Sequence, residues 1–438
     1  MIAATLITAL PLAGLAQGSI PASPPPAPES PAVQTRLPVV FSGELRTRTE
    51  RDAPGGTLPP DLYTYLRTRF SARVDTDAGV HLMVQAQDSR VLGAEGHATA
   101  ATAEEFGLHQ AFLELRGKWR TLPVELRAGR QEIAIGNERL VGSAGWGNIG
   151  RSFDGARVTL SRPGTSAAGA ERWSVTAFAA TVEERGRHFG AGSNQSQRDH
   201  VLAGVAGSRQ LPKGLRGELL AMYDAGGSYR QFTSADRATL YGRIRTQPTR
   251  AIAAELEGAW QGGRQRDQFD TAQVHAQTIH AWMGGVRAGR IVTPGRRLSL
   301  FVGADLLSGD ATPHDATYSA FNTMYASNHL FYGLMDAIAE PSATTRERGL
   351  TDVFVNSSMQ FNNRISVRAE VHRFAMASGK HRNLGWETDV IAPIRILPTT
   401  NLELGVSVFR AGADAPLAGL GSRSTIRDWA FAQLRVAF

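Results

Sequence analysis

Arginine is the residue whose placement carries most of the chemistry in this sequence. In Leu66 to Val74 one parity reads Leu66, Thr68, Phe70, Ala72, Val74 and the other Arg67, Arg69, Ser71, Arg73. Residues two apart share a face of a strand, so the segment has one apolar side and one cationic side. Arg116, Arg127, Arg364, Arg368 and Arg435 fall on the polar parity of other alternating segments. A guanidinium stays charged in any surroundings and forks onto carboxylate or phosphate, so a cationic face of this kind suits an anionic solute. Glu44, Glu114, Glu125, Glu370 and Glu403 share the polar parity. Interleaved carboxylates either keep anion sites weak enough to release their cargo, or pair with the arginines in a lattice that stiffens a wall.

Other candidate chemistry is thin. His329 and Asp336 flank Phe331-Tyr332-Gly333 at a spacing that suits a hydrogen-bonded pair holding a loop. Ser308-Gly309-Asp310 with His314 lacks the G-x-S-x-G elbow of a serine hydrolase. Gly262-Gly263-Arg264 and Gly284-Gly285 are not followed by Gly-Lys-Ser/Thr and read as turns or close strand approaches, not phosphate loops. No catalytic residue, cofactor or resident metal is expected.

The chain has 438 residues, 42% hydrophobic and 20% charged, and no cysteine, which excludes disulfide frameworks, thiolate metal sites and cysteine nucleophiles. Basic residues outnumber acidic ones by 47 to 40, and only Lys118, Lys213 and Lys380 are lysines. A GC-rich genome would produce the same bias, so position along the chain decides its meaning. No basic cluster sits in a nucleic-acid-binding module, and nucleic acid is not an expected partner.

The ends suggest a compartment. Ile2 to Leu15 is apolar, and Gly14 and Ala16 suit a cleavage site before Gln17, so residues 1–16 read as a signal peptide. The apolar stretch is shorter than the roughly 20 residues of a spanning helix. Residues 17–38, with Pro24, Pro25, Pro26 and Pro28, read as an extended linker, and 39–438 as one domain. In the last strand Ala430, Ala432, Leu434, Val436 and Phe438 alternate with Trp429, Phe431, Gln433, Arg435 and Ala437. A terminal aromatic on such a strand resembles the closing strand of bacterial outer-membrane barrels.

Period-two alternation recurs through the body. Ile365, Val367, Ala369 and Val371 oppose Arg364, Ser366, Arg368, Glu370, His372 and Phe374; Leu402, Leu404, Val406 and Val408 oppose Glu403, Gly405, Ser407 and Phe409. Glu44, Arg46, Arg48 and His81, Met83, Gln85, Gln87 follow the rule more weakly. A soluble sandwich alternates too, with its faces inverted; the length and the ends favour an all-β transmembrane antiparallel barrel of about 18 strands, large enough for an aqueous lumen. Trp173, Trp386, Tyr63 and Tyr65 are expected on the lipid face near strand ends. Leu92–Glu105, Glu183–His200, Gly226–Asp236, Gly262–Ala276 and Gly309–Asn328 read as extracellular loops, one or more of them folding into the lumen.

Two segments resemble a known family. Gly129-Arg130-Gln131-Glu132, Gly136-Asn137-Glu138-Arg139-Leu140-Val141-Gly142, Gly145-Trp146-Gly147-Asn148 and Gly150-Arg151-Ser152-Phe153-Asp154-Gly155-Ala156-Arg157 resemble the signature of the alginate export family of outer-membrane barrels. Ser308-Gly309-Asp310, Phe321, Tyr325, His329, Phe331-Tyr332-Gly333 and Asp336 resemble its second motif. Ile135 stands where an aromatic is usual, and Gly145 where an acidic or small polar residue is usual.

The resemblance implies a monomeric barrel in outer-membrane lipid and lipopolysaccharide, passing a polyuronate by diffusion, with periplasmic export proteins as possible partners. It singles out Arg130, Arg151, Asp154 and Arg157 beside the lumenal arginines. Asp154 shares its parity with Ala156, Val158 and Leu160, and Arg130 with Leu126 and Ala128, so either a bulge reverses the register or the pair lies at the rim. A porin taking up small anions and an outer-membrane hydrolase are the alternatives.

Overall fold

The computed structural model describes residues 38–438 except 54, 56–58, 94–101, 165–170, 183–200, 227–234, 247–251, 267–275, 294–297, 313–314, 381 and 423–424. The signal and linker expectations, and most of the loops at 92–105, 183–200, 226–236 and 262–276, fall outside the described residues; 183–200 does so entirely, and strands reach into both ends of the other three.

The strands are β1 (Val39–Ala53), β2 (Asp61–Asp75), β3 (Val80–Leu92), β4 (Glu104–Trp119), β5 (Leu122–Gln131), β6 (Phe153–Arg162), β7 (Trp173–Val182), β8 (Val201–Leu211), β9 (Leu215–Gly226), β10 (Ala235–Thr246), β11 (Ile252–Arg266), β12 (Ala276–Thr293), β13 (Leu298–Leu307), β14 (Thr317–Tyr318), β15 (Leu350–Gln360), β16 (Ser366–Met376), β17 (Asn383–Leu397), β18 (Thr400–Ala411) and β19 (Ile426–Ala437). Each pairs antiparallel with the next around a closed ring, except β14, which lies outside the ring and pairs parallel with β12. The ring therefore has 18 strands, and β1 closes on β19 from Glu44↔Ala437 to Ala53↔Asp428. Closure leaves no unpaired sheet edge, which is what a sheet in lipid requires.

The terminal phenylalanine takes part in that closure. Gly43 and Phe438 exchange both backbone hydrogen bonds (2.7 and 3.0 Å), and the Phe438 ring lies where a side chain at Gly43 would be.

The outward faces are apolar and exposed. Val205, Leu219, Val302 and Val406 are each at least half exposed, the arrangement of a wall bathed in hydrocarbon. Trp173 and Trp386 lie on that face, as expected. Tyr63 and Tyr65 do not: both are buried on the lumenal parity with Arg67, and Tyr63 donates to Glu50 Oε2 at 2.9 Å. A phenol beside a carboxylate is better satisfied inside than at the lipid interface. No described helix is long and apolar enough to cross a membrane; the chain crosses with strands.

The connections 76–79, 120–121, 212–214 and 398–399 at one end are short, the periplasmic signature. Two of the long connections at the other end, 132–152 and 308–349, turn into the lumen and interlock. Gly142 N donates to Tyr325 O, Tyr325 N to Leu140 O and Ser327 N to Glu138 O (2.8–3.0 Å). Their apolar residues Ile133, Leu140, Val141, Phe321, Tyr325 and Ile338 join lumenal residues of the wall, including Phe374 and Phe409, in one core.

Candidate functional site: two inward loops on an arginine wall

Strands β1 and β2 place Arg46, Arg48, Arg67 and Arg69 side by side on the lumenal face, with Arg46 directly opposite Arg67. Like charges opposite each other repel. The 132–152 loop supplies acceptors that offset this. Arg46 donates to Gly145 O (2.9 Å) and Gly147 O (2.7 Å), Arg48 to Trp146 O (2.8 Å), Arg67 to Gly147 O (3.2 Å) and Arg69 to Ile149 O (3.3 Å). Gln87 and Ser89 on β3 extend the pattern to Ile149 O and Asn148 O. The Gly-Trp-Gly-Asn-Ile stretch thus lays successive carbonyls on a cationic wall, while the Arg48 guanidinium sits 3.9 Å over the Trp146 ring.

Carboxylates complete the seam. Glu44 bridges Arg67 (2.7 Å) and Arg435 (2.6 Å), and Glu132 accepts from Arg69 (3.2 Å) and His109 (2.8 Å). Burial works against ionisation of Glu132, but the His109 hydrogen bond and the Arg69 charge hold its carboxyl below the usual range.

The opposite side of the loop is anchored by Arg139, which is almost fully buried. It donates to Glu257 Oε1 (3.0 Å), Asp305 Oδ2 (2.6 Å) and Tyr332 Oη (3.1 Å), with its guanidinium 3.8 Å over the Phe331 ring. Arg287 shares both carboxylates at 2.8 and 3.0 Å. Among the motif residues, Arg151 donates to Tyr325 O, Gly142 O and Ala326 O and ties the two loops together. His329 pairs with Asp336 at 3.0 Å and stacks on Trp146, so the pair positions the 308–349 loop. Ser308 Oγ donates to Ser319 O (2.7 Å) and accepts from Trp282 N (2.8 Å), while His314 lies outside the described residues.

The remaining expected site residues divide by position. Arg127 and Arg157 face each other on the lumenal side of β5 and β6; Glu114 takes Arg127 and Arg116, and Glu125 takes Arg157 at 3.4 Å. Arg73, Arg116, Arg368 and Arg435 point into the periplasmic half of the lumen, each about half exposed and each beside a carboxylate: Asp75, Glu114, Glu370 and Glu44.

Three placements differ from expectation. Arg130 and Asp154 form a two-pronged pair, both bonds 2.8 Å, on the outward parity at the extracellular rim; β5 and β6 run without a register shift there, so the rim alternative holds and not the bulge. Arg364 lies exposed in the 361–365 turn, because β16 starts at Ser366.

Sequence reasoning passed over Arg46, Arg48, Arg139, Glu257, Arg287 and Asp305 as site residues. The parity rule could have found the strand residues: Arg237, Thr239, Tyr241, Arg243 and Arg245 alternate on β10, and Glu255 and Glu257 on β11.

The family model for alginate export matches residues 38–416. The chain belongs to the alginate export family. Among solved structures, this family member is similar in fold to Acinetobacter baumannii OccAB4 (10% identity, 92% of this chain and 100% of that one, TM-score 0.59) and to Pseudomonas aeruginosa OccK8 (10%, 91% and 98%, 0.59). It is also similar to Pseudomonas aeruginosa OccK2, solved in complex with glucuronate (10%, 91% and 96%, 0.55). No curated protein matches the sequence. As a member of the family with a closed outer-membrane-type barrel, the chain is a channel protein of the bacterial outer membrane.

Proposed function

We propose that this barrel is a passive, anion-selective channel that exports an alginate-like polyuronate, acting as a monomer. The observation that carries the reading is the set of half-exposed arginines in the periplasmic half of the lumen, Arg73, Arg116, Arg368 and Arg435, each held beside a carboxylate. A uronate carboxylate displaces the resident carboxylate from one guanidinium at a time, and the next arginine repeats the exchange. Several weak sites in series give conduction without trapping, and a cationic tube with low-dielectric walls concentrates the anion at its mouth. No covalent step is involved.

A second reading is uptake of small anionic solutes. The interlocked 132–152 and 308–349 loops favour it, since they occupy lumen that a polymer must pass, and a structural neighbour was solved with glucuronate.

Single-channel recording in planar bilayers separates them. Anion selectivity with block by oligouronate added from the periplasmic side, weakened in Arg116→Ala and Arg435→Ala, supports polymer export. Block by monomeric glucuronate alone moves the assignment to the small-solute channel, and cation selectivity overturns both.

A further inference from the structure

A few strands round the ring from the arginine wall, with β19 between, strands β15–β18 carry a compact group of acids around one histidine. Cross-strand register places Glu370 opposite Asp389, His372 opposite Glu387 and Asp389 opposite Ser407, all on the lumenal face. Side-chain ligand atoms of Glu370, His372 and Asp389 lie within 4.8 Å of one another.

Three further features point to a cation. The His372 ring is clamped between Phe354 and Phe374, stacked at 5.4 Å on each side. Its Nδ1 faces both oxygens of buried Asp352 (3.0 and 3.1 Å), which leaves Nε2 directed toward Glu370, 3.5 Å away and beyond a good hydrogen bond. A carboxylate holding one imidazole nitrogen while the other faces acidic oxygens is the outer-shell arrangement of a metal-ligating histidine. Finally, no donor reaches buried Asp389 Oδ1 or the neighbouring Glu387 Oε2 in good hydrogen-bond geometry, although the two carboxylates and the Ser407 hydroxyl approach one another. Among the described residues, no arginine or lysine lies within salt-bridge distance of Asp352, Glu387 or Asp389; the nearest pairing is Arg368 with Glu370.

We propose that Glu370, His372 and Asp389 bind a divalent transition-metal ion, with zinc the best fit. One imidazole nitrogen and two carboxylate oxygens form a mixed donor set that suits zinc better than calcium or magnesium, which prefer oxygen alone. Tetrahedral zinc ligands sit about 3.3 Å apart, given bonds of about 2.0 Å. Glu370, the least buried of the three, closes the gap by rotating and gives the ion its path from the lumen. The other oxygen of Asp389 accepts from Leu334 N (3.4 Å) and Glu387 accepts from Met335 N (2.8 Å). Zinc here fixes the carboxylates that hold the 308–349 loop, whatever solute the pore passes.

The test is titration calorimetry of the refolded full-length barrel in detergent, free of lipopolysaccharide and with ZnCl2 as probe. One zinc per chain is expected, with binding at least tenfold weaker in Asp389→Asn and His372→Gln and 10- to 100-fold weaker in the positioning variant Asp352→Asn. Cobalt substitution should give the visible absorption of a tetrahedral site. Glu370→Gln, at a partly exposed position, covers the case in which a buried variant fails to fold. Failure of the folded wild type to bind zinc overturns the proposal, and leaves these residues as a hydrogen-bonded network. Binding matched by calcium and unchanged in His372→Gln is adventitious and also overturns it.

Discussion

Arg130 and Asp154 face each other across the two strands that lead into and out of the 132–152 loop, joined by two 2.8 Å hydrogen bonds on the outer face of the wall. The signature residues therefore staple the base of a lumenal loop instead of lining the path. Arg151, close to where the same loop re-enters the wall, binds Gly142 O of its own loop and Tyr325 O and Ala326 O of the second.

Arg130→Ala and Asp154→Asn should leave ion selectivity unchanged and increase open-channel noise, because the loop loses its rim staple. Both side chains are partly exposed (27% and 42%), so the cost to stability should be small, on the order of 0.5–1 kcal/mol. A double-mutant cycle read by urea unfolding in detergent measures the coupling, and a selectivity change equal to that of Arg116→Ala would contradict the staple.

Arg139→Ala should be among the most damaging single changes in the barrel. It leaves Glu257 and Asp305 buried with Arg287 as the remaining arginine partner, and removal of one member of a buried charge cluster costs about 3–5 kcal/mol. Arg139→Lys should recover little, since one ammonium cannot reproduce the fork to Glu257, Asp305 and Tyr332. Gel-mobility unfolding temperature is the readout.

The interlocked loops should loosen as pH rises. Glu340 sits in the 308–349 loop; burial pushes its carboxyl up to about 7 against the Arg151 charge, and Asp336 adds to the rise. The folded-state value exceeds the unfolded one, so docking is most favourable below about pH 4.5 and weakens as the group ionises between there and about 7. Loop-opening events in bilayer recordings should become more frequent across that interval and level off above it. Glu340→Gln should remove the trend; a trend that persists in this variant would rule Glu340 out as its source.

Arg116→Ala and Arg435→Ala should each lower the anion-to-cation permeability ratio, and more so together, because both guanidiniums stand half exposed in the lumen. Reversal potentials in a salt gradient measure this. The effect should shrink at molar salt, where the screening length falls to about 3 Å.

Phe438→Ala should slow barrel closure or insertion more than it lowers the stability of the finished barrel. The ring covers Gly43 at the seam between β1 and β19, while the backbone bonds between the two residues do not depend on it. Folding kinetics into vesicles, followed by band shift, would reveal the difference.

Alternation along the chain determined the wall. Lipid on one side and a polar lumen on the other impose a period of two, so Leu66 to Val74 and Asn401 to Arg410 declare their faces without reference to any neighbour, and the number of such segments limits the barrel's size. The motifs around Arg130 and Arg139 fall on the segment that folds into the lumen. Parity also flagged Asp154 as outward. It could not choose between a bulge and the rim, because that depends on the register of β5 against β6, a relation between strands and not a property of either. Tyr63 was misplaced because a tyrosine suits the lipid interface and a buried carboxylate equally well, and only the position of Glu50 decides; Tyr65 shares its lumenal parity and sits under the Arg48 guanidinium. The same holds for the lumen's interior. That Gly145 to Ile149 rests its carbonyls on Arg46, Arg48, Arg67 and Arg69, or that His372 meets acids from three strands, follows from closing the ring and folding loops into it. Contacts between residues about a hundred positions apart leave no periodicity in the sequence, so only the tertiary structure could decide them.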